Sequence, residues 1–340
     1  MSKIKNQGIQ ALRTIAATLV LLQHVFWHCL DHFKYSKNFL IKSHKGIGGL
    51  GVGIFFVISG YVISLSMKQN KMFLFHRILR IYPPFWFVVV ISLVLLKHSN
   101  FTLSSFLLLP GLEFNSSYGI PYWTLVYEMF FYLIFYLLII FKLSKEKIIN
   151  FMIFWLANII IFNIYHEVYY PVPYLYIFFS SINIFFIFGV CIALNQEIYQ
   201  KITSYQLFLI IIIGYQFLQI SKNTLYHTIE ALICSAILLI FIKYKPSKLI
   251  VILGNSSYGL YLIHDICIKG TISLVNKFNI SIKLYQLCLL TLIISGIIGI
   301  IYGFAESEFH RKLTGWIKQK RTNISSSKSK YDSYPCSKIL

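Results

Sequence analysis

Residues 284–304 read LYQLCLLTLIISGIIGIIYGF, twenty-one in a row without a charged side chain. A bilayer's hydrocarbon core, about 30 Å thick, takes about 20 apolar residues to cross as a helix. Lipid offers the backbone no hydrogen bonds, so a spanning segment must pair its own N–H and C=O groups, which a helix does. The stretch is rich in Ile and Leu throughout and does not alternate, so it is no barrel strand. Working outward at the same length finds ten spans, at about 9–30, 48–67, 82–97, 121–142, 147–165, 173–194, 204–220, 226–243, 250–268 and 284–304. The run 101–112, ended by Pro110 and Gly111, is too short to cross and is expected at the interface. The expected fold is all-α, a polytopic membrane protein with about ten transmembrane helices.

Composition agrees. Of 340 residues, 57% are hydrophobic and 12% charged, against about 25% charged in soluble domains, and the mean hydropathy is +0.69. Soluble, secreted and disordered classes are thereby excluded. A net charge of +20 resembles that of a nucleic-acid binder, but the charges lie in short clusters between apolar runs. They predict a lipid bilayer as partner and no nucleic acid. Counted by loop, the termini and even-numbered loops hold 22 Lys and Arg and the odd loops hold 9. The positive-inside rule then puts both termini in the cytoplasm, although Lys34, Lys37, Lys42 and Lys45 cut against it. Residues 309–340 are basic and then Ser-rich, which predicts a disordered cytoplasmic tail. The six cysteines form no CxxC, so neither a zinc knuckle nor a redox pair is expected.

Ionisable groups inside spans are costly and point to function. On the first helix Arg13 and His24 are eleven residues apart, near three full turns, so they share a face about 16 Å apart along the axis. The bland alternatives are an arginine snorkelling to lipid phosphate and a histidine bonded to a neighbouring helix. His24, with its near-neutral pKa, suits general-base work. His24, His28 and His32 also stand at i, i+4 and i+8, but Asp31 is the single acid on the adjoining turns. No metal is expected there, and His28 and His32 read as interfacial. Arg77 and Arg80 mark the mouth of the third span, with Pro83 and Pro84 suiting a helix start. The pair could grip phosphates or merely stop the span from sliding inward. Glu128, two turns into its span, must be protonated or paired. Ser257, Tyr261 and His264 form a polar stripe on another apolar helix. Gly46, Gly48 and Gly51 spell GxGxxG, but no strand precedes them, so these glycines, with Gly53 and Gly60, read as helix-packing positions.

Taken in order, these segments resemble acyltransferase family three, the integral-membrane acyltransferases of sugars and other surface molecules. The resemblance covers residues 8 to about 308 and rests on five elements. They are Arg13 with His24; the stretch 51–61, GVGIFFVISGY; the stretch 77–83, RILRIYP; Trp123-Thr124-Leu125 with Glu128; and the stretch 257–264, SYGLYLIH. Three departures stand out. Gly53 occupies a position where many members carry Asp. Thr124 replaces Ser and keeps the hydroxyl. Glu306-Ser307-Glu308 lacks the proline of the family's E-x-P.

The resemblance implies a membrane acyltransferase domain over residues 1–308, in a bacterial cytoplasmic (inner) membrane. It implies transfer of an acyl group, most often acetyl, from acyl-coenzyme A to a hydroxyl of a lipid-linked or surface glycan. O-antigen of lipopolysaccharide, capsule and exopolysaccharide are examples. Acetyl-coenzyme A is then a co-substrate, and no metal is needed. In that reading Arg77 and Arg80 hold the donor's phosphates and Arg13 positions or polarises the donor. His24 acts as base or transient acyl carrier, and Glu128 and His264 set its tautomer and charge. Arg13 and His24 are expected to line one shared hydrated tunnel. The competing class is a transporter or a proton or solute channel, which also carries intramembrane Arg, His and Glu.

Overall fold

The computed structural model describes residues 6–34, 46–66, 72–96, 102–110, 121–166 and 176–331. Among them twelve α-helices follow in order: α1 (Gln7–His32), α2 (Ile47–Leu65), α3 (Phe73–Leu96), the short α4 (Leu103–Phe106), α5 (Trp123–Ile140) and α6 (Lys145–Tyr165). A 3₁₀ turn (Tyr176–Phe179) leads into α7 (Asn183–Leu194), then α8 (Gln196–Gln200), α9 (Ser204–Ile220), α10 (Asn223–Lys243), α11 (Lys248–Lys277) and α12 (Leu284–Tyr331). Eight of these are long and apolar enough to cross a membrane, and α7 and α9 are shorter apolar helices at the other two expected positions. The protein is an all-α polytopic membrane protein.

Four boundaries differ from the sequence reading. Helix α3 starts at Phe73, ten residues before Pro83, and keeps both prolines inside it. Each proline lacks an N–H and deprives the carbonyl four residues back of its partner. Neighbouring helices tie down the same turn: Tyr258 donates to the Ile81 carbonyl at 3.2 Å and Tyr302 to that of Pro84 at 3.0 Å. Arg77 and Arg80 therefore sit within the helix, on a turn tied to α11 and α12.

The span expected at 173–194 is a broken one. With twelve residues, α7 is about 18 Å long, too short for the bilayer core. Side chains satisfy the irregular backbone before it. Asn183 Nδ2 reaches the carbonyls of Ile177 (2.6 Å) and Phe178 (3.1 Å), Trp155 Nε1 that of Phe178 (2.7 Å), and Asn163 Nδ2 that of Phe179 (2.8 Å). Non-helical backbone survives at membrane depth when it is buried in protein and bonded in this way. In contrast, α11 and α12 run past their expected ends. The latter stays helical to Tyr331, through most of the segment read as a disordered tail; residues 332–340 lie outside those described.

Close backbone approach holds the bundle together. A Cβ on Gly60 of α2 would stand 2.2 Å from the Phe186 carbonyl oxygen of α7, and one on Gly189 of α7 would stand 2.1 Å from that of Val57 on α2. Neither backbone oxygen can swing aside, so these glycines let two helices meet without an intervening side chain. Gly60→Val is expected to abolish the monodisperse peak in size-exclusion chromatography of detergent-extracted protein. A wild-type profile would disprove the contact. On the opposite side, Thr14 Oγ1 donates to the Ile250 carbonyl at 2.8 Å, fixing α1 against α11.

Candidate active site

Two cavities lie along α1. The larger, of about 530 Å³, is lined by Asn6, Arg13, Ser59, Arg77, Arg80, Thr124, Glu128, Tyr132, Ser257 and Tyr258 among others, and is called here the arginine chamber. The smaller, of about 150 Å³, includes Gln23, His24, Trp123, His227 and Glu230 in its wall, and is called the histidine chamber. Val52, Phe56 and Tyr261 line both. Among the described residues Arg13 and His24 do not share one tunnel. They occupy neighbouring chambers that meet at a three-residue partition.

The partition is well anchored on two sides. The Tyr261 hydroxyl donates to the Pro121 carbonyl at 3.0 Å and accepts from Thr124 Oγ1 at 2.5 Å. Phe56 packs against Trp123, Tyr127 and Phe131, with centroids 6.2, 5.9 and 5.7 Å away, within the favourable range for aromatic pairs. Val52, half-buried on α2, is the smallest of the three.

Positive charge dominates the arginine chamber, where three guanidiniums face one carboxylate. Arg77 lies over the rings of Phe73 (5.2 Å) and Tyr132 (5.3 Å) and donates to Ser66 Oγ at 3.3 Å. Arg80 lies over Tyr258 at 5.7 Å. Such stacking orients the planar cation while leaving its N–H edge for a ligand. Glu128 accepts a hydrogen bond from Tyr132 and shares the chamber with the arginines, so it is no direct partner of His24. The start of α1 adds to the field, because Asn6 caps it through Gly8 N (2.9 Å) and Ile9 N (3.3 Å) and also lines the chamber. A helix N-terminus carries a partial positive charge. The whole suits a polyanion.

Beside the histidine chamber runs a hydrogen-bonded chain of two imidazoles. His264, fully buried on α11, has Nδ1 2.6 Å from the Tyr261 carbonyl oxygen. A carbonyl can only accept, so the hydrogen-bond network puts the proton on His264 Nδ1 and, in the neutral ring, leaves Nε2 an acceptor. That Nε2 is 2.5 Å from His24 Nδ1, the rings lying within 5° of parallel. His24 must then donate from Nδ1 and carry its lone pair on Nε2. Two consecutive constraints select one tautomer of His24, the one with a basic Nε2.

One residue further along α11, the buried Asp265 accepts from His28 Nε2 at 2.7 Å and pairs with Lys269 Nζ at 2.6 Å. His28 is therefore tied into the bundle and is not a loose interfacial side chain. Asp265 directly follows His264, the hydrogen-bond partner of His24, in the chain. Sequence reasoning passed over Asp265, Lys269, His227 and Glu230. Two signals were available: the i,i+4 Asp265–Lys269 pair at the end of a span, and the lone acid Glu230 inside the run 226–243. At Gly53 an added Cβ would be 2.5 Å from Phe185 Cε1 and 3.1 Å from Cys234 Sγ, so a side chain there would have to displace the Phe185 ring. The carboxylate in this chamber comes from Glu230 instead.

A cationic chamber joined to a tautomer-selected histidine along one helix suits transfer of a group from an anionic carrier. A family model described as an acyltransferase domain, that of acyltransferase family three, matches residues 6–304. The chain belongs to this family. It is a membrane acyltransferase, and the matched region runs from the cap of α1 to within α12. No curated protein and no solved structure matches the chain.

Proposed function

We propose that this acyltransferase is an O-acetyltransferase of a bacterial inner membrane, taking acetyl from acetyl-coenzyme A and giving it to a hydroxyl of a lipid-linked or surface glycan. O-antigen, capsule or exopolysaccharide units are suitable acceptors. The observation that carries this reading is the hydrogen-bonded chain from the Tyr261 carbonyl through His264 to His24, one partition away from three guanidiniums. Arg13 and His24 lie about 16 Å apart along the axis. A donor with phosphates at one end of a long arm and a reactive carbonyl at the other fits that separation. The excess of Lys and Arg in the termini and even loops supports a cytoplasmic arginine chamber, on the side where the donor is made.

In this mechanism Arg77, Arg80 and Arg13 bind the donor through charge-assisted hydrogen bonds. The thioester end crosses the partition. His24 Nε2 takes the acceptor's hydroxyl proton as that oxygen attacks the thioester carbonyl carbon, and the new C–O bond replaces the broken C–S bond. The proton then passes from His24 to the departing thiolate, so ester and free coenzyme A leave with atoms balanced. His264 holds His24 in its reactive tautomer throughout, and Asp265 stabilises the imidazolium while it lasts.

Two measurements test this. Membranes containing the protein should consume labelled acetyl-coenzyme A and transfer the label to glycan. Surface glycans of a deletion strain should be lighter than the parent's by one acetyl group per modified sugar in mass spectra. If the label stays on coenzyme A and the two spectra coincide, the reading is wrong.

A further inference from the structure

Beside His24, the wall of the histidine chamber carries Glu230, whose side chain is 7% exposed. An ionised carboxylate buried at this depth is costly unless paired. Its neighbour is His227, one turn earlier on α10, with Nδ1 3.6 Å from Glu230 Oε2. That is an ion-pair contact but lies beyond hydrogen-bonding distance. His227 Nδ1 is itself buried and makes no hydrogen bond among the described residues. A pair kept for stability alone would close to about 2.8 Å; this one remains open beside a cavity.

Gly49 lies in the first turn of α2, and a Cβ there would be 3.6 Å from Glu230 Oε1. The carboxylate thus faces bare backbone near a helix's positive end. An ionised carboxylate is an acceptor only, so its complement is an O–H donor. The chamber's 150 Å³ is about the size of a cavity that takes one six-membered ring, enough for one edge of a sugar ring and too little for a whole oligosaccharide.

We propose that Glu230, with His227 as its positioning residue, binds the acceptor by taking a hydrogen bond from a second hydroxyl next to the one His24 deprotonates. The enzyme is thereby specific for a ring edge bearing two neighbouring hydroxyls. This inference rests on the acetyl-transfer reading above. It adds the residue that selects the acceptor.

The test uses purified full-length protein, labelled acetyl-coenzyme A and, as acceptor, the glycolipid extract of a strain lacking the protein. Glu230→Leu should raise the apparent KM for the extract about 10- to 100-fold, the effect of one charged hydrogen bond. The KM for acetyl-coenzyme A should stay unchanged and kcat should remain within about 3-fold. Glu230→Gln keeps an acceptor oxygen and should recover most of the loss, while His227→Leu should shift the same KM by a smaller factor. Coenzyme A binding and the size-exclusion profile report whether each variant folds. Should Glu230→Leu misfold, Glu230→Ala and His227→Leu carry the test, and a wild-type extract KM in both would refute the proposal. A wild-type KM for the extract in a folded Glu230→Leu overturns it while leaving acetyl transfer standing. An extract left unlabelled by the wild-type protein overturns the functional reading, and this inference with it.

Discussion

Replacing His24 by alanine lowers kcat at least about 100-fold, the smaller end of what a positioned general base contributes. The substitution removes the Nε2 lone pair that the Tyr261–His264–His24 chain selects. Helix formation does not suffer, since alanine is the best helix former, and the half-buried side chain leaves a space continuous with the histidine chamber. Membrane insertion and coenzyme A binding should therefore match the wild type. Added imidazole can enter that space and should restore part of the rate. His264→Ala should cost less than His24→Ala, because it removes the tautomer's support and leaves the base itself. Wild-type transfer by His24→Ala would falsify the assignment.

The partition predicts the second large effect. Val52 lines both chambers, so Val52→Trp should place an indole at the partition between them. Transfer is expected to fall about 100-fold, the scale of a ~1 Å misplacement of reacting groups. Coenzyme A binding, measured by calorimetry, should persist, because the three arginines are untouched. The Arg77→Leu, Arg80→Leu double variant should behave in the opposite way and lose coenzyme A binding first. If Val52→Trp transfers acetyl at the wild-type rate, the acyl group takes another route and the partition is only packing.

Much of the fold was legible because hydropathy is a local property. All ten expected spans coincide with apolar helices. The errors have specific causes. Pro83 and Pro84 suggested a helix start, but they lie inside α3, on a turn bonded by hydroxyls of Tyr258 and Tyr302, more than 170 residues away. The apolar run 173–194 suggested a full span, but asparagine and tryptophan side chains sustain a broken one. In the basic segment 309–340, read as a tail, α12 continues as helix as far as Tyr331.

For the site, the sequence alone established that Arg13 and His24 share a face of α1, since eleven residues make nearly three turns. It also marked Arg77, Arg80, Glu128 and His264 as polar groups out of place in lipid. Which of these groups meet was decided by tertiary packing. His264 reaches His24 across 240 residues of chain and Asp265 reaches His28 across 237, whereas Glu128 turns to the arginine chamber and Glu230 joins His24. The physical reason is that helical periodicity sets the angle of a side chain about its own axis and nothing more. The rotation of each helix against its neighbours, and the closeness of their backbones at glycines such as Gly60 and Gly189, arise only when the bundle packs.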